Sequence, residues 1–194
     1  MAINHPTTKA PGEEVHAVAD WNAAHIADTA LVTNLNADFL DNHHASDFIT
    51  FTGASRIRAY RNTTNQSIGA GAWTKIQLNA ESYDNLGEYD PVTNFRFTPA
   101  KAGYYLITGQ IMWAVPGDMD VVYTSIYMNG VEIARGTLIV ARNYSDVSVN
   151  VSTIVYLDPD AAPANYIELY GFSSSACDAY LGSAWTYLCI HKLS

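Results

Sequence analysis

From Arg56 onward, apolar and polar residues alternate at period two, and clusters of turn residues interrupt the alternation. That is the pattern of half-buried β-strands. It predicts strands over residues 56–61, 73–78, 95–97, 103–113, 121–128, 131–140, 148–157, 166–172 and 185–193. Asn129-Gly130, between Tyr127-Met128 and Val131-Glu132, predicts a two-residue hairpin, because both central positions of such a turn need positive φ and Asn-Gly tolerates it. Pro116-Gly117-Asp118 and Asp158-Pro159-Asp160 mark further turns. Many short strands with no helical interlude imply an all-β sandwich or jelly roll.

The longest strand is apolar on both faces. Tyr105, Ile107, Gly109, Ile111 and Trp113 fall on one side, and Tyr104, Leu106, Thr108, Gln110 and Met112 on the other. Residues 121–128 repeat this, with Val122, Thr124, Ile126 and Met128 against Val121, Tyr123, Ser125 and Tyr127. A sheet with one wet face alternates more cleanly. Either another copy of the chain covers the outer surface, or these strands are central and loops cross them. The first alternative makes Tyr104, Leu106, Met112, Tyr123 and Tyr127 candidates for a subunit interface.

Residues 1–55 have a different texture. They are rich in Ala, Asn, Asp and His, and their apolar groups (Val15, Val18, Trp21; Leu31, Val32, Leu35; Phe39, Leu40; Phe48, Ile49, Phe51) are too short and scattered to build a core alone. The expected division is an attachment or stem segment over 1–55 and a β-domain over 56–194. Of the 194 residues, 48% are hydrophobic and 15% charged, the latter well under the usual ~25%. A surface so poor in charge is either polar and uncharged or partly hidden against partners. The net charge of −9 and the scattered cations, with Arg56, Arg58 and Arg61 as the one local group, argue against a nucleic-acid partner. No run approaches the ~18 apolar residues of a membrane helix, and the start of the chain lacks a signal-peptide pattern. Cys177 and Cys189 imply no disulfide framework.

The stretch FTPAKAGYYLITG, with Leu78, Asp84, Tyr89, Phe97, Gly103, Tyr105 and Ile107 around it, resembles the C1q-like branch of the TNF-like jelly rolls. Leu78 and Ile107 stand where that family has Phe, and Gly109 replaces an aromatic. The resemblance implies a ten-stranded jelly roll assembled as a homotrimer. Phe97 and Tyr105 would enter the core, and Gly103 would permit a tight turn. VADWNAAH and NLNADFLDNHHASDF, the latter over residues 34–48, resemble segments of bacteriophage tail-fibre and other virion proteins. There they precede a trimeric distal domain. Together the two resemblances imply a virion protein, assembled in the host cytoplasm. It would meet other virion proteins through its N-terminal segment and a host cell-surface glycan or protein through its head.

Candidate chemistry is sparse. On a three-fold axis, three copies of His43 or His44 could hold a transition metal, although adjacent histidines in a polar segment also serve as turn caps or solvated groups. Asp118 with Asp120, Asp158 with Asp160, and Asp84 with Glu88 and Asp90 suggest calcium, but none has the ordered spacing of a calcium loop. No nucleophile elbow, zinc-protease helix or glycine-rich nucleotide loop occurs. Carboxylates from separate strands could still meet. The expectation is a non-enzymatic trimeric receptor-binding head. The alternatives are a virion decoration or cement trimer and, third, a small carbohydrate-active enzyme.

Overall fold

The computed structural model describes residues 54–114, 120–141 and 146–194, all within the unit spanning Ile49–Ser194. The expected attachment segment, apart from Ala54 and Ser55, lies outside the described residues, as do His43, His44 and the Pro116-Gly117-Asp118 turn. Among the described residues there are fourteen strands and no helix. They are β1 Arg56–Tyr60, β2 Gln66–Ile68, β3 Trp73–Lys75, β4 Ala80–Asp84, β5 Tyr89–Asp90, β6 Arg96–Phe97 and β7 Gly103–Ala114. β8 Val121–Met128, β9 Val131–Arg135, β10 Ile139–Val140, β11 Val147–Leu157, β12 Ile167–Ser173, β13 Cys177–Ala179 and β14 Tyr187–Lys192 complete the series.

Two seven-stranded antiparallel sheets result. Sheet I contains β1, β2, β4, β7, β11, β13 and β14. β7 is its spine: β11 pairs with it from Gly103 to Trp113, while β14 and then β13 share its other edge. β1 lies between β14 and β4. Sheet II is centred on β8 and β12, with β9 and β10 along one edge of β8 and β3 and β6 along the far edge of β12.

Segments outnumber the ten strands of the sequence resemblance, and several expected strands have different bounds. Residues 131–140 break at Gly136, whose N–H bonds the Thr124 carbonyl oxygen and whose missing side chain would fall on the Asn150 carbonyl. The strand expected from 185 starts at Tyr187 because the N–H groups of Trp185 and Thr186 both turn back to the Gly182 carbonyl oxygen. Phe95 adopts a left-handed φ of 47°, so the strand expected from 95 begins at Arg96. The Asn129-Gly130 hairpin forms as expected, with φ of 53° and 77°.

The core follows the alternation. All the inward residues of β7 are buried, and Tyr105, Ile107, Ile111 and Trp113 have no exposed surface. They meet Ile126 of β8 and Ile167 and Leu169 of β12 in one apolar cluster that includes Phe97 and Leu78. Two glycines set how closely the sheets approach. A Cβ on Gly109 would lie 2.5 Å from the Leu169 side chain, and one on Gly171 would lie 2.5 Å from the Trp113 ring. Gly109 stands where the resembled family has an aromatic, and Leu169 fills that space. Gly103 acts by close approach and not in a tight turn: any side chain there would strike the Ser194 carbonyl and Lys192.

Ser55 is fully buried and anchors the entry to β1. Its hydroxyl donates to Glu88 Oε1 at 2.8 Å, and its carbonyl accepts the Lys192 N–H. Glu88 Oε1 also accepts the Ala100 N–H at 2.7 Å. Burial raises the Glu88 pKa above the ordinary carboxyl range, against the lowering pull of those two donors.

Gly171→Ala is expected to cost about 1–3 kcal/mol in urea unfolding, because Trp113 must leave its rotamer or the sheets must part. For Glu88, a raised folded-state pKa favours folding below the unfolded value of about 4.3, and the benefit is lost as pH rises through the folded value. Glu88→Gln lacks this pH-dependent term. Its stability relative to the parent should therefore rise between about pH 4 and about pH 7, as read by urea unfolding at both.

Candidate functional site

Because successive side chains of a strand point to opposite faces, the outward residues of sheet I form rows across four strands. Tyr156 faces Tyr104. Ile154, Leu106, His191 and Arg56 follow in the next row, then Ser152, Thr108, Cys189 and Arg58, and then Asn150, Gln110, Tyr187 and Tyr60. One corner is apolar and open, with Tyr104 53%, Ile154 60%, Tyr156 50% and Leu106 37% exposed. Tyr104 and Tyr156 meet edge to face at 5.3 Å, and Leu193 bonds through its N–H to the Tyr104 carbonyl beside them. Met112 is half-buried further along the same face, next to Ser148.

Away from that corner the face is polar, and Arg58, Gln110, Tyr187 and His191 are already engaged. The Arg58 guanidinium sits 4.0 Å from the Tyr187 ring centre, donates to Cys189 Sγ at 3.1 Å and to the Ser183 carbonyl at 2.6 Å. His191 Nε2 lies 3.3 Å from the Tyr83 hydroxyl, and burial, then Arg56, lowers its pKa.

Tyr123 and Tyr127, the other two interface candidates, lie on the outer face of sheet II. There Tyr123, Phe172 and Trp73 form one row, Arg135, Ser125, Tyr170 and Lys75 a second, and Glu132, Tyr127 and Glu168 a third. Trp73 touches Phe172, Tyr127 and Tyr123 at centroid distances of 5.4, 5.9 and 6.1 Å, and Tyr127 stacks on Tyr170 at 4.2 Å. The Arg135 guanidinium lies over Trp73 at 5.1 Å and Tyr123 at 5.3 Å. Glu132 holds it, with Nε donating to Oε1 at 2.6 Å, and Ser125 donates to the same oxygen. The hydrogen bond from Arg135 lowers the Glu132 pKa. Opposite, Lys75 pairs with Glu168 at 2.8 Å. The five interface candidates thus divide between two outward faces.

An open cleft of about 510 Å³ includes Ser67, Asp146, Cys177, Asp178 and Tyr180 in its lining. It brings two carboxylates, Asp146 and Asp178, into one lining, as the enzyme alternative requires. Burial pushes the Cys177 thiol up, and the Ser67 hydroxyl donates to Asp178 Oδ1 at 2.9 Å. His191, the one histidine among the described residues, lies on the outer face of sheet I, away from this cleft's lining.

Three of the acidic groups considered for calcium hold turns. Asp84 accepts the N–H groups of Leu86, Gly87 and Tyr89; Asp90 accepts those of Val92, Thr93 and Asn94; and Asp158 accepts that of Asp160. Among the described residues no three His, Cys, Asp or Glu side chains converge as a metal site. His43 and His44, the transition-metal candidates, and Asp118 lie outside the described residues.

No family model and no curated protein matches the chain. Solved structures do. The structure of Eiger TNF from S. frugiperda is similar over 73% of this chain and 93% of its own, at 10% identity and a TM-score of 0.56. That of murine APRIL at pH 5.0 is similar over 72% and 99%, at 12% identity and 0.56. The fold is the TNF-like jelly roll. The globular domain of zebrafish complement 1qA is also similar over 71% and 94%, at 12% identity and a TM-score of 0.48. At such identities the likeness concerns the jelly roll alone, and the C1q-like branch rests on the FTPAKAGYYLITG motif.

The sequence reading of this jelly roll missed Ile154 and Tyr156. A signal was present: outward residues of β11 run Ser148, Asn150, Ser152 and then turn apolar at its end. Trp73, Arg135 and Glu132 had no such signal, because only the pairing of β3 with β12 and of β9 with β8 gathers them around Tyr123.

The Asp90 carboxyl, held by the N–H groups of Thr93 and Val92 first, is lowered to about 2. Carbon-detected NMR titration should find it still ionised where ordinary aspartates are protonated.

Proposed function

We propose that this chain forms the homotrimeric head of a phage tail fibre or receptor-binding protein and recognises a host surface without catalysing a reaction. The observation that carries the reading is the open apolar corner of sheet I, formed by Tyr104, Leu106, Ile154 and Tyr156. Contiguous exposed apolar surface bordered by polar groups marks an interaction site. In a closed cyclic trimer each copy buries such a patch against a different surface of its neighbour. The jelly-roll fold, for which the sequence resemblance implies three-fold assembly, supports a trimer over other stoichiometries. The segments VADWNAAH and NLNADFLDNHHASDF support the virion setting and an attachment role for residues 1–55.

Three copies would present three equal sites, so weak single-site affinity becomes strong attachment when the geometry lets them engage together. A decoration role is the rival within the same assembly. It predicts stoichiometric binding to phage capsids, whereas a receptor-binding head binds bacterial cells and competes with infection.

Light scattering coupled to size exclusion on the full chain should give three times the chain mass. The double variant Tyr104→Glu with Ile154→Lys places charges at the open corner and should give a monomer with an unchanged circular dichroism spectrum. A monomeric parent, or a double variant that stays trimeric, would overturn the assembly.

A further inference from the structure

The outer faces of the two sheets carry similar numbers of aromatic rings but differ in state. On sheet I the apolar corner is open. On sheet II, Trp73, Tyr123, Tyr127, Tyr170 and Phe172 are all half-buried and packed on one another. A protein partner of ordinary size needs about 800 Å² from each side with an apolar centre, and rings that already cover each other offer little of it. What they offer is a rigid aromatic surface whose side chains need little further ordering when something binds.

The charges on this face point to the class of ligand. Arg135 pairs with Glu132 and Lys75 with Glu168, so the platform carries two cations and two anions and sums to zero. Both cations are already neutralised by close carboxylates, in a chain of net charge −9. An anionic ligand would have to displace a carboxylate from its partner. A neutral ligand would not.

The polar groups also lie at the ring surface itself. The Arg135 guanidinium rests over Trp73 and Tyr123 and uses two of its five N–H donors on Glu132. A planar donor fork beside a carboxylate matches adjacent hydroxyl groups, which both donate and accept. Aromatic faces are electron-rich, and the C–H faces of a pyranose ring carry the complementary partial charge.

We infer that the outer face of sheet II, around Trp73, Tyr123, Arg135 and Glu132, binds a neutral oligosaccharide. The inference deepens the host-recognition reading and rests on it: the glycan would be the host-surface ligand, held on the sheet opposite the one that carries the open assembly corner.

The test applies the full chain to a printed array of neutral and anionic glycans, followed by calorimetric titration with the best neutral oligosaccharide. Parallel samples carry Trp73→Ala and Glu132→Gln. Neutral glycans should bind in preference to anionic ones. Each substitution should weaken binding by about tenfold or more, with oligomer mass and thermal unfolding of Glu132→Gln unchanged. Glu132→Gln keeps every ring in place, so it answers the question even if Trp73→Ala misfolds. Binding of anionic glycans alone, or neutral-glycan binding that survives Glu132→Gln, overturns the inference. So does adhesion of the parent to bacterial cells with no glycan bound, an outcome that leaves the host-recognition reading standing with a different receptor. Absence of both glycan binding and cell adhesion overturns both.

Discussion

Pairing of β7 along both edges is the constraint on which the rest of the molecule depends. β11 takes one edge over its whole length, and β14 and β13 take the other. With its register held from both sides, each side chain of β7 is committed to the core or to the outer face. A slip of one residue would send Trp113 and Tyr105 into water and bring Tyr104 and Met112 inside. The same commitment that buries Tyr105, Ile107, Ile111 and Trp113 therefore places Tyr104 and Leu106 outward, opposite Tyr156 and Ile154. The open corner of sheet I follows directly from how the core is built.

The second sheet handles its outer apolar residues differently. Arg135, clamped by Glu132, spreads over two rings, and Lys75 is held by Glu168 at the far side. Long charged side chains can cover apolar surface while keeping their charge wet. This face is therefore presentable to solvent in a single copy, and the corner around Ile154 is much less so. The division of labour proposed for the two faces, assembly on one and ligand on the other, grows from that contrast.

Much of the sandwich was legible because period-two alternation directly records which side of a strand is wet. Burial alternates residue by residue through β1, β7 and β11, whereas β8 and β12 each hold three consecutive buried residues. The short strands β2, β4, β5 and β13 were not legible. Ala80-Glu81-Ser82-Tyr83-Asp84 has no buried residue, so nothing in its composition separates it from a loop, and only the ladder with β1 makes it a strand. The interface candidates on β7 were readable from one strand. Tyr123 and Tyr127 were read as equivalent to them because alternation reports a side of a strand, not which sheet the strand joins. Trp73, Arg135 and Glu132 come together through pairings between distant segments, which no local pattern contains.

The entry at Ser55 has a mechanical consequence. The chain passes from a buried, doubly bonded serine straight into β1, which makes five residue pairs with β14 and four with β4. Tension on the chain ahead of Ala54 would run along the β1 axis and be shared by rungs on both sides at once. A strand pulled lengthwise between two neighbours must break many rungs together, whereas an edge strand peeled sideways loses them one by one. A pull applied at Ala54 would thus meet β1 in the orientation that resists being unzipped.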